Sequence, residues 1–94
     1  MLSIETEGPK AWAKIHNIAS LSENGAQAYK NWTDIIKALP ATCPCRIEGL
    51  HILNQLVEYT PSFNSLDSHA LENFAIFFHN IINIKLNKPL YYNE

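Results

Sequence analysis

The sequence predicts an all-α fold, a small four-helix bundle, and three observations lead there. Apolar residues recur at helical spacing in four separate stretches. Breaks rich in Ser, Asn, Gly and Pro divide those stretches. Nowhere do Val, Ile and Thr alternate with polar residues over the length of a strand. At 94 residues, 47% of them hydrophobic, the chain can bury one core but not two, so residues 1–94 read as one domain.

Each element has its own signals. Gly8-Pro9 reads as the start of the first helix, since proline suits a first turn. Trp12, Ile15, Ala19 and Leu21 then carry its apolar face. Ser22-Glu23-Asn24-Gly25 breaks that helix and offers caps for the second. Ala26, Tyr29, Trp32, Ile36 and Leu39 mark the second face, which Pro40 ends. The loop Ala41-Thr42-Cys43 leads to a third helix with Ile47, Leu50, Leu53, Leu56 and Val57 inward. After the Thr60–Ser65 break, a fourth helix capped by Ser65 or Asp67 runs to about Asn87. Its apolar residues, Leu66, Ala70, Leu71, Phe74, Phe77, Phe78, Ile81, Ile82 and Leu86, span an arc wide enough for two neighbours.

Composition removes several classes of function. With a formal net charge of -2 and its basic residues scattered, the chain lacks the basic face of a nucleic-acid binder. No run of 18 apolar residues could span a membrane. Met1–Lys10 carries two glutamates and no apolar segment, unlike a secretory signal, so a cytoplasmic setting is expected.

The two cysteines, Cys43 and Cys45, flank Pro44. A bond between them closes too small a loop to staple a fold. Proline disfavours helical geometry in the residue before it and suits the first helical position itself. Cys43 is therefore expected as the N-cap of the third helix, with Cys45 in its first turn. Unpaired N–H groups and the helix dipole there favour a thiolate. A more exposed Cys43 and a more enclosed Cys45 would suit thiol–disulfide exchange. Two other readings stand beside it: idle thiols, or a zinc site completed by His16, His51, His69 or His79. One intervening residue is poor spacing for zinc.

Trp12 and His16 are four apart and share a helix face, as do His79 and Asn83. His79, Asn80 and Asn83 follow Phe74-Ala75-Ile76-Phe77-Phe78, the most apolar run in the chain. Polar groups buried there need partners: helix ends, water, or a flat ligand with polar edges. The alternative is a helix that ends in exposed asparagines.

Taken together, these blocks resemble a known family. Gly8-Pro9-Lys10-Ala11-Trp12-Ala13-Lys14-Ile15-His16, with Ala19, is similar to the opening G-x-x-x-W-x-x-x-H-x-x-A of the Erv/ALR family of FAD-linked sulfhydryl oxidases. Cys43 and Cys45, followed by Arg46, stand where that family carries its redox cysteines. His79-Asn80-Ile81-Ile82-Asn83-Ile84-Lys85-Leu86-Asn87-Lys88-Pro89 resembles its H-N-x-V-N-x-x-L-G-K-P signature. The three blocks, in order, cover roughly residues 8 to 91.

The resemblance implies a bundle holding FAD among its helices, with Trp12, His16, Cys45, His79, Asn80, Asn83, Lys85, Lys88 and Tyr91 around the cofactor. It implies a thiol oxidase: a protein dithiol attacks the Cys43–Cys45 disulfide at Cys43, and Cys45 stands next to the flavin. Dioxygen takes the electrons and leaves as hydrogen peroxide. It further implies a homodimer packed through the first two helices, with Ile18, Ile35 and Ile36 as candidate contacts. Small members of this kind are familiar among viruses that assemble in the cytosol. The sequence departs from the family in several respects. It has C-x-C in place of C-x-x-C, Pro9 in place of arginine, and Asn87 in place of glycine. It also lacks a structural disulfide, and the family's final short helix is expected to be truncated.

Overall fold

The structure, a computed structural model, describes residues 4–91, with side chains described for residues 10–43 and 46–91. Among the described residues, four α-helices follow one another: α1 (Ile4–Leu21), α2 (Gly25–Lys37), α3 (Pro44–Tyr59) and α4 (Ser68–Lys85). A single 3-10 turn, Phe63–Ser65, lies between α3 and α4. Among the described residues there is no strand, as the sequence predicts.

Helix ends follow local chemistry. The Asn24 side chain caps α2 by accepting from the Gln27 N–H, while the Gln27 side chain accepts from the Glu23 N–H. Asp67, one of the two expected caps, starts α4 by accepting from the Ala70 N–H at 2.9 Å. Cys43 takes the extended N-cap conformation of α3, followed by Pro44 at the first helical position. Pro40 stands three residues beyond the last residue of α2, where helix stops favour it.

Other expectations are corrected. The first helix begins at Ile4 and runs through Gly8 and Pro9 instead of starting there. Proline restricts its predecessor largely through that residue's Cβ, and Gly8 has none, so the helix can continue. The fourth helix ends at Lys85, and residues 86–91 continue without helix. The buried face of α2 is Gly25, Ala28, Trp32 and Ile36; Ala26 is exposed. Ile47 is 67% exposed and Phe77 57% exposed, so neither belongs to the core face assigned to it. Ile36, expected on a dimer surface, is 3% exposed and packs in the core.

The core gathers around Trp32, which stacks parallel on Phe74 at 5.7 Å and touches Phe63. Its indole N–H donates to the Ile15 carbonyl at 2.9 Å, tying α2 to α1. Ala19, Leu53, Leu71, Ala75, Phe78 and Ile82 complete the cluster. The 3-10 turn presses so close to α2 that a Cβ on Gly25 would lie 1.9 Å from the Phe63 carbonyl oxygen. Only glycine fits that contact. No helix among the described residues is long and apolar enough to cross a membrane.

Candidate functional site

α1 and α4 lie side by side, so the first and last of the three sequence blocks meet. Trp12 and His16 from α1 and His79, Ile82 and Asn83 from α4 line one cavity of about 540 Å³. The segment after α4 closes its far side with Leu86, Lys88, Pro89, Leu90 and Tyr91. Small-molecule sites commonly occupy about 300–1,000 Å³, so the cavity is of ligand size.

Its walls are aromatic. The Trp12 indole and the His79 imidazole stack face to face, with centroids 3.9 Å apart and planes 11° apart. Phe78 supports Trp12 edge-on at 5.1 Å. Tyr91 lies over His16 at 4.6 Å and beside His79 at 4.9 Å, both nearly parallel. His16 Nε2 and His79 Nδ1 are 3.0 Å apart, one donating and the other accepting. Two imidazolium rings would aim N–H at N–H, so this bond requires a neutral ring. Burial lowers the pKa of His16. Burial first, then His16 and Lys88, lower that of His79 to about 4. Both rings are therefore neutral at pH 7, and Lys88 supplies positive charge at the exposed rim.

The predicted site residues divide into those on the wall and those off it. Trp12, His16, His79, Asn83, Lys88 and Tyr91 line one cavity. Asn83 is buried as a residue yet lines the cavity. Asn80 stands outside the wall, and its amide pairs with the backbone of Tyr91. Lys85 is exposed and forms an ion pair with Glu48 of α3 at 3.8 Å. The side chain of Cys45 lies outside the described residues.

Cys43 reverses one expectation. It is a free thiol, 1% exposed, where the more exposed cysteine of the pair was expected, and it does not line the cavity. Its N–H donates to the Pro40 carbonyl at 2.9 Å, closing a turn that leaves Ala41 and Thr42 outside and the thiol inside. Cysteine behaves there as a small apolar side chain. Of the candidate zinc ligands, His51 and His69 are exposed. Among the described residues, no group of three or more His, Cys, Asp or Glu could hold a metal ion.

Sequence reasoning missed Ala13, Ile82, Leu86, Pro89 and Leu90 on the wall. Ile82 and Leu86 sit at helical offsets from His79 and Asn83, a signal that reads equally well as core. Ala13 and Leu90 carry no such mark. No protein-family model matches the chain, no curated protein matches it, and no solved structure matches it.

Proposed function

We propose that this chain is an FAD-linked thiol oxidase that joins protein dithiols into disulfides and delivers the electron pair to dioxygen. The observation that carries the reading is one cavity collecting Trp12, His16, His79, Asn83, Lys88 and Tyr91 from the two ends of the chain. The wall chemistry suits the cofactor. Trp12 and Tyr91, each already stacked on an imidazole of the wall, add aromatic surface against which a ring system can pack, Asn83 carries an amide donor and acceptor, and Lys88 offers a cation to a diphosphate. FAD, when bound, supplies the two-electron acceptor that protein side chains lack.

The chain's own residues do the remaining work. A substrate thiolate opens the Cys43–Cys45 disulfide, forming a mixed disulfide and freeing one cysteine sulfur as thiolate. The second substrate thiol displaces the protein sulfur, which leaves substrate oxidised and both cysteines reduced. The net reaction, a dithiol plus O2 giving a disulfide plus H2O2, balances atoms and electrons. A cytoplasmic setting and a homodimer belong to the same proposal, the latter through half-buried Ile18 and Ile35. Sedimentation of a monomer at micromolar concentration would remove the dimer.

The burial of Cys43 favours a second reading, a flavin-binding protein whose cysteine pair turns over poorly. One experiment separates the two. The visible spectrum of the FAD-loaded protein is followed after addition of dithiothreitol, with and without air. Bleaching of the flavin band only without oxygen, with peroxide appearing in air, supports the oxidase. A band that stays oxidised without oxygen supports the second reading. A protein that FAD cannot load removes both.

A further inference from the structure

Three aromatic rings of the pocket belong to helices, and the fourth does not. Trp12, His16 and His79 are fixed by α1 and α4, whereas Tyr91 sits at the end of the non-helical strap 86–91. The strap is anchored at two points. Near α4, Asn87 turns the chain with a left-handed φ of 57°, and the Lys88 N–H donates to the Asn83 carbonyl at 2.8 Å. At the far end, the anchor is a side chain. Asn80 Nδ2 donates to the Tyr91 carbonyl at 3.1 Å, and Asn80 Oδ1 accepts from the Tyr91 N–H at 2.6 Å.

We propose that Asn80 is the latch of the pocket: it positions Tyr91, without touching the ligand, and so sets how long a planar ligand stays. Asn80 does not line the cavity, while the ring of the residue it holds does. The primary amide matches the task because it presents one acceptor and one donor to the N–H and C=O of a single residue. Aspartate would keep the bond from the Tyr91 N–H but set a carboxylate against the Tyr91 carbonyl. Alanine would keep neither. When both bonds open, the backbone bonds left among the described residues of the strap are those at its α4 end, from the Leu86, Asn87 and Lys88 N–H groups to the Ile82, Ile84 and Asn83 carbonyls, and Tyr91 can swing away from His16 and His79. Among the described residues, the strap is the one wall of the cavity that no helix carries. The latch is a property of the chain itself; only the identity of the ligand rests on the FAD reading.

The test compares the intact protein with Asn80→Ala, Asn80→Asp and Tyr91→Ala, all checked for unchanged helical content. Without ligand, amide hydrogen exchange at Tyr91 should quicken about tenfold or more in Asn80→Ala, since two ordinary hydrogen bonds are lost. Exchange at the Lys88 N–H should stay as it is. Acrylamide quenching of tryptophan fluorescence should rise in Asn80→Ala and in Tyr91→Ala alike, because Trp12 lines the cavity while Trp32 is wholly buried. FAD should leave Asn80→Ala about tenfold faster than the parent, with Asn80→Asp between them. Equal Tyr91 exchange in parent and Asn80→Ala, or unchanged quenching, would overturn the latch. If the exchange and quenching changes occur while FAD binds no variant, the latch stands and the FAD reading falls.

Discussion

His16 Nε2 and His79 Nδ1 share one hydrogen bond of 3.0 Å between helices whose sequence positions are 63 apart. One ring is sandwiched against Trp12 and both face Tyr91, so the bond holds the floor of the pocket as well as joining α1 to α4. Its proton balance makes the site sensitive to acid.

The folded state lowers the His79 pKa from its ordinary value of 6.5 to about 4. Between those values the unfolded chain binds the extra proton and the folded chain does not, so stability rises with pH across that window. The contribution is fully present above pH 6.5 and is lost as pH falls toward 4. The melting temperature should therefore drop from pH 7 to pH 4.5, and drop less steeply in His79→Gln. Parallel curves for the two proteins would refute the role of His79.

Trp12 is only half-buried, and its indole mainly faces His79, Phe78 and the cavity. Trp12→Ala should cost about 1–2 kcal/mol of stability through lost aromatic pairing and burial. The same change should weaken FAD binding by about tenfold or more. Denaturant melts and flavin titration of the variant check the two effects separately.

Trp32 stands in contrast, with no exposure and a hydrogen bond to the Ile15 carbonyl. Trp32→Phe should destabilise the fold by about 1–3 kcal/mol, from lost volume and one lost bond, while leaving the cavity walls in place. Gly25→Ala should cost a similar or larger amount, about 1–3 kcal/mol, because its methyl collides with the Phe63 carbonyl. Urea midpoints measure both, and parent stability in the Gly25→Ala protein would show that the 3-10 turn can retreat.

Cys43 should behave as an enclosed thiol. In a Cys45→Ser background, it should react with an aromatic disulfide reagent roughly 100-fold more slowly in the folded than in the unfolded state. Fast modification of the folded protein would mean that the loop carrying Ala41 and Thr42 opens readily and would favour the oxidase, whereas slow modification favours the second reading, in which the cysteine pair turns over poorly.

Much of the fold was legible because helices announce themselves locally. Cys43 was identifiable as a cap from the proline that follows it and Pro40 from what it forbids, while the cap of α4 was narrowed only to Ser65 or Asp67. The errors lie where apolar character alone cannot tell inside from outside. Ile47 and Phe77 have the right residue type and approximate spacing, yet exposure depends on how the helices are rotated. The 3-10 turn escaped notice because three residues carry no periodicity, although Phe63 anchors it in the core. Six wall residues were readable from the blocks at residues 12–16 and 79–91. The partnership of Asn80 with Tyr91 was not, since it pairs a side chain with a backbone and leaves no trace in residue type.

The side-by-side placement of α1 and α4 also fixes when the pocket can first exist. During synthesis, Trp12 and His16 leave the ribosome long before His79, Asn83 and Tyr91 are made. Each helix can form within microseconds, but the pocket waits for the long loop between the chain's ends to close. A nascent chain ending before α4 would leave Trp12 and Ile15 without the helix that covers them. The cavity thus exists only once the first helix and the last have docked, and occupancy by any ligand would report that docking.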